Sequence, residues 1–187
     1  MTTITSLYNS LPALEEATAK FMNRARIFSE LALLLTTYEH KFDVCFVHAH
    51  CKLEEGEIMV ASGHVSQRKL ERDVKYYPEC WLASGEPYEF TDELTLTPPP
   101  ELFSQFSDIV DGINVLGLYA VSAPPSSGIL LEWTDGRKNI TEIVASAGCQ
   151  DIETAWLPGT DNPLVMACTR QCLFDARYGG HQKVHGR

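Results

Sequence analysis

Two groups of residues have the types and spacings that metal or acid–base chemistry needs. The first is His48-Ala49-His50, with Glu54, Glu55 and Glu57 just beyond it and His64 further on. The stretch Phe42-Asp43-Val44-Cys45-Phe46-Val47 leads into it and is rich in β-branched and aromatic residues, which predicts a strand. Positions two apart on a strand share a face, so His48 and His50 would project together and Cys51 the other way. Imidazoles joined by a carboxylate suit zinc, iron, copper or manganese. With an open coordination position, such a metal would activate water or polarise a small substrate, and Glu57 would serve as general base. His48, His50, Glu57 and His64 are therefore the candidate catalytic residues. The plain alternative is a strand with two hydrogen-bonded or exposed histidines.

The second group is C-terminal: Cys168 and Cys172, then His181 and His185, in the spacing Cys-x3-Cys-x8-His-x3-His. Two thiolates and two imidazoles satisfy tetrahedral zinc. Gly179-Gly180 can bend the chain, and His181 and His185 would share a face of a helical turn. This predicts a structural zinc knuckle over residues 168–187 that ties the tail to the body. The alternative is an ordinary strand with buried thiols and a His-bearing tail. Spacing leaves open whether the two groups meet in one site. A cysteine nucleophile is a further reading, with Cys45, Cys51 or Cys80 beside His48, His50 or His64.

The elements that must position these residues follow from periodicity. Leu14, Ala17, Phe21, Ala25, Phe28, Leu31, Leu35 and Tyr38 recur every three or four residues and predict a long N-terminal helix over 11–39, with room for a break near Asn23–Arg26. Residues 42–66 read as a hairpin turning at Glu54-Glu55-Gly56. The mixed-charge run from Arg68 to Asp73 reads as a solvated loop. Pro98-Pro99-Pro100 introduces a second helix through Ile113, with Leu102, Phe103, Phe106, Ile109 and Val110 on one side. Further strands are expected at 115–122, 129–133, 140–145, 154–157 and 164–168, with Asp135-Gly136 a tight-turn signal. Helices interspersed with hairpins predict a single α+β domain over 1–187, its long helix packed on a mainly antiparallel sheet.

The chain has 187 residues and a formal charge of -10, from 15 Lys+Arg against 25 Asp+Glu. An acidic balance disfavours non-specific nucleic-acid binding, which needs a basic face. No run approaches the roughly 20 apolar residues of a membrane-spanning helix, and the first residues lack a secretory pattern, so an intracellular, cytoplasmic protein is expected. In that compartment the six cysteines would be thiols or metal ligands rather than disulfides. No nucleophile elbow, phosphate-binding loop, dinucleotide fingerprint, Cys-x-x-Cys pair or His-Glu-x-x-His helix occurs.

Three resemblances attach to these residues. His48-Ala49-His50 with Glu54 or Glu55 and then Gly63 resembles the first metal-binding motif of cupins, although no second cupin motif follows. The Cys/His spacing of the tail resembles a two-Cys two-His zinc finger with a shortened middle. The segment from Val47 to Gln67, containing His-Ala-His-Cys-Lys-Leu-Glu-Glu-Gly-Glu-Ile-Met-Val, looks similar to a group of uncharacterised fungal proteins with a His-x-His strand and a His-bearing C-terminus. That likeness implies no mechanism. The expected function is a zinc-binding protein with a structural Cys168/Cys172/His181/His185 site and a protein partner or small molecule as ligand. The alternative is a small metal-dependent enzyme acting through His48 and His50.

Overall fold

A computed structural model describes residues 2–22, 24–72, 75–121, 128–135, 138–146, 148, 151–159 and 161–173. Its strands are β1 (Phe42–Phe46), β2 (Glu57–Ser62), β3 (Val65–Leu70), β4 (Tyr77–Leu82), β5 (Pro87–Thr91), β6 (Leu116–Ala120), β7 (Ile129–Asp135), β8 (Lys138–Val144), β9 (Ile152–Pro158) and β10 (Met166–Cys172). They close into a barrel in the order β1-β6-β4-β5-β2-β3-β8-β7-β10-β9. β2 pairs with β5, and β7 with β10, in parallel; the remaining neighbours are antiparallel. Closure satisfies the backbone groups of every strand edge.

This overturns the expected α+β sheet with a long helix. Residue alternation shows that a strand has two faces. It does not show whether the sheet closes, and β1 is hydrogen-bonded on both sides, to β6 and to β9. The helices are short: α1 (Ile4–Asn9), α2 (Leu14–Lys20), α3 (Arg24–Thr36) and α4 (Pro100–Ile109). The long helix expected over 11–39 is two, because Phe21 leaves helical conformation at φ -122 and ψ 63. The hairpin expected over 42–66 does not form: β2 turns at Gly63 and pairs with β3 instead. The first half of the charged run read as a loop, Arg68 to Leu70, lies in β3, where Arg68 reaches Glu57 at 3.4 Å. The strands flanking Asp135-Gly136 pair as Asp135 with Lys138, across residues outside the described set.

All five residues of β1 are buried, for different reasons on its two faces. Phe42, Val44 and Phe46 join Leu116, Leu118 and Ala120 of β6 in a core shared with Leu14, Phe21, Leu31 and Leu35 of the helices, and with Leu102 and Phe106 of α4. The main apolar core therefore lies between the barrel wall and the helices outside it. Asp43 and Cys45 alternate with those residues and face the lumen. The lumen is correspondingly polar.

Helix α1 plugs one end of the barrel. Thr3 caps it by accepting from the Ser6 N–H at 3.1 Å. Asn9 donates to the Leu53 carbonyl and accepts from the Leu53 N–H, both at 2.9 Å. Tyr8 is fully buried with Val47, Leu53, Met59 and Tyr88. The other end opens beside the β2–β3 turn, where Gly63, His64 and the half-exposed Ile143 border the cavity.

Candidate metal centre and lumen

His48 and His50 lie just past the end of β1. Their rings stand 4.6 Å apart, centre to centre, and are both buried. The His48 Nδ1–H donates to the Phe46 carbonyl at 3.0 Å. A carbonyl can only accept, so the proton sits on Nδ1 and the Nε2 lone pair points at Cys172 Sγ, 3.9 Å away. Cys172 comes from β10 and donates to Glu132 Oε2 of β7 at 3.2 Å. One donor atom from each of His48, Glu132 and Cys172 lies within 4.8 Å of the other two, close enough to hold one metal ion. Arg170 holds the other Glu132 oxygen, Oε1, at 2.8 Å and so orients the carboxylate. Glu132 is only 1% exposed, so its carboxyl oxygens are met by these partners rather than by bulk water. A void of about 20 Å³ bordered by His48, His50, Glu132 and Thr154 has room for one water-sized body.

Electrostatics around the cluster follow from burial. Burial lowers the pKa of His48 against the pull of Glu132, and lowers that of His50 further with help from His48. Both rings are neutral near pH 7, the form in which histidine binds metal. Burial and Glu132 push the Cys172 thiol well up. Above the cluster, Glu89 of β5 lies 3.5 Å from His50 Nε2 and accepts from the Tyr8 hydroxyl at 3.4 Å. Burial, with Glu132 and Glu79 nearby, raises its pKa to about 8. Burial likewise raises Asp43 to about 6, against the Thr169 hydroxyl that donates to it at 2.5 Å and the charge of Arg170. Glu79 of β4 accepts from the Tyr119 hydroxyl at 2.8 Å, and the Arg170 guanidinium lies 4.3 Å over the Tyr119 ring. These groups border a cavity of about 200 Å³.

The structure thus joins one residue from each expected group, His48 and Cys172, and adds Glu132, which neither group contained. Cys168 lies elsewhere: its thiol donates to the Arg170 carbonyl at 3.3 Å and packs toward the outer core. His181 and His185 lie outside the described residues. Glu54 and Glu55 are exposed, so the cupin-like set of His48, His50 and one of these glutamates is not assembled. Glu57 accepts from the Glu54 N–H at 2.8 Å and pairs with Arg68 at 3.4 Å, and it borders neither the cavity nor the void beside His48, so it is not placed to serve His48 as a base. His64 stands at the cavity mouth. Among the cysteines read as nucleophiles, Cys45 contacts the Tyr88 hydroxyl, Cys51 the Met59 sulfur and Cys80 the Glu89 carboxyl. The five described cysteines are all free thiols.

Glu79, Glu89, Glu132 and Arg170 escaped the sequence reading. Their one signal is a charged residue alone in an apolar strand, as in Leu130-Leu131-Glu132-Trp133 and Tyr88-Glu89-Phe90. Irregular pairing adds to the difficulty. Register shifts around Cys80 let Glu79 face the lumen while Trp81 joins the outer core, and shifts around Arg170 bring Thr169 and Arg170 both to the cavity.

Fold and site together define a closed β-barrel with an acid-rich lumen and a three-donor cluster at its plugged end. No protein-family model matches the chain, and neither the curated proteins nor the solved structures compared with it give a match. Among the described residues, no helix is long and apolar enough to cross a membrane.

Proposed function

We propose that this barrel binds one borderline divalent cation, zinc by the chemistry of its donors, through His48 Nε2, Cys172 Sγ and a Glu132 oxygen, and presents it to a small molecule in the lumen. The observation that carries this reading is the convergence of three different donors, with the Nδ1–H of His48 tied to Phe46 and its Nε2 aimed at the thiol. An imidazole, a thiolate and a carboxylate are a zinc-type set, and three protein donors leave a position for a further ligand. Such an ion would act as a Lewis acid toward a bound molecule. The chain's own residues exclude water with the α1 plug, hold the carboxylate with Arg170 and keep the imidazole neutral by burial. A metal with an open position favours the enzymatic reading over a purely structural tail.

Metal analysis of untagged protein, purified without chelator and then offered zinc or cobalt, tests this. About one ion per chain is expected, with a thiolate-to-cobalt charge-transfer band. His48→Ala and Cys172→Ser should each lose at least tenfold in affinity, whereas Cys168→Ser should keep the ion. Retention of the ion by both His48→Ala and Cys172→Ser, or loss with Cys168→Ser alone, would reject the lumen site. The latter result would return the search to the C-terminal residues.

A further inference from the structure

The cavity above the cluster has its own unmet chemistry. Asp43 is 4% exposed and Asn139 is 3% exposed, and both border the cavity. Asp43 Oδ2 accepts from Thr169, but Asp43 Oδ1 and Asn139 Oδ1 are buried with no hydrogen-bond partner among the described residues. A buried acceptor left unpaired is destabilising, so two bordering one void call for donors from outside the chain. Charge points the same way. Asp43 and Glu79 both border the cavity, and Arg170, the one described Lys or Arg there, is already paired with Glu132. A buried excess of carboxylates is relieved by a cation.

We propose that the upper lumen is a subsite for a small organic cation with N–H donors, a primary ammonium or an amidinium, seated with its N–H groups on Asp43 and Asn139. The volume of about 200 Å³ lies below the roughly 300–1,000 Å³ of drug-sized pockets and limits the guest to a small molecule. The mouth contributes Val121, Leu130 and Ile143, which suit an apolar body behind the charged head. Arg170 already shields one face of Tyr119, so the head is held by carboxylate and amide oxygens rather than by that ring. The subsite uses none of His48, Glu132 or Cys172, and the inference stands whether or not those residues hold a metal.

The test uses chelator-treated full-length protein, so that metal binding plays no part. Butylamine and benzamidine serve as cationic probes, and butanol, benzamide and benzoate as neutral and anionic counterparts. Calorimetry and thermal shift should show benzamidine or butylamine binding once per chain and raising Tm, with the neutral and anionic molecules at least tenfold weaker. Asp43→Asn should weaken the cation about tenfold or more while benzamide is unaffected. If that variant fails to fold, the comparison among charged and uncharged probes on the wild-type chain still decides. Equal or tighter binding of benzoate or benzamide, or no binding of either cation, would overturn the proposal. So would an unchanged benzamidine affinity in folded Asp43→Asn.

Discussion

Glu89 shows how far the barrel changes the chemistry of a single residue. In water its carboxyl would be ionised at neutral pH; here burial and two neighbouring carboxylates raise its pKa from 4.5 to about 8. The folded state therefore holds a proton that the unfolded chain releases. Below about pH 4.5 both states are protonated and the site is neutral toward stability; as pH rises toward 8, ionisation increasingly favours unfolding. Glu89→Gln removes that titration and can still donate to His50. In metal-free protein, urea unfolding should show little difference between variant and wild type at pH 4.5 and an advantage for the variant at pH 8. That advantage should be about 2–4 kcal/mol. A difference independent of pH would mean that Glu89 titrates as an ordinary surface carboxyl. At this scale the sequence was readable for His48 and Cys172, whose types announce metal chemistry. It was not readable for Glu132, because a glutamate in a strand gives no sign of which face it occupies.

At the scale of elements, the site depends on strands that approach closely and on bulges that re-aim side chains. Gly117 of β6 lies opposite Leu82 and Cys45. A Cβ there would stand 2.4 Å from the Trp81 carbonyl oxygen and 2.9 Å from Val47 Cγ2. The first is backbone and cannot swing away, so Gly117→Ala should open the β4–β6 pairing and cost about 2–3 kcal/mol. Gly63 offers the contrast: its φ of +58 strains any other residue, but nothing lies within 4 Å of the added carbon. Gly63→Ala should cost only about 1 kcal/mol. Denaturation curves of the two variants measure this. Equal losses would show that close approach is not what demands glycine at 117. The helix following Pro98-Pro99-Pro100 was legible, because its proline start and apolar spacing are local. The pairing of β2 with β5 was not, because nothing local marks a parallel partner.

At the scale of the whole molecule, the barrel is closed by its sequence-distant ends. β1 meets β9, and β10 completes the wall by pairing with β9 and β7. A chain ending at residue 151 would lose Trp156 from the outer core and Arg170 and Cys172 from the lumen. It would also leave β1 and β7 each with an unpaired edge. Such edges template association. The truncated chain should show no cooperative melt and should elute as aggregates in size exclusion, monitored with circular dichroism and light scattering. A monomeric, cooperatively melting fragment would show that closure is dispensable for folding.

Periodicity and turn chemistry are local, and they were enough to place most strands and the helix that starts at Pro100. The break at Phe21, the strand nature of Val65–Leu70 and the inward turn of the polar faces needed more. The outer faces of β1, β6 and β9 are apolar because helices cover them, and Asp43, Glu79, Glu89 and Glu132 are turned inward around a cavity. A strand with one apolar and one polar face reads the same whether its polar side meets bulk water or a lumen. Long-range pairing removes that ambiguity, and with it comes the conversion of scattered single acids, one arginine and one thiol into a buried site.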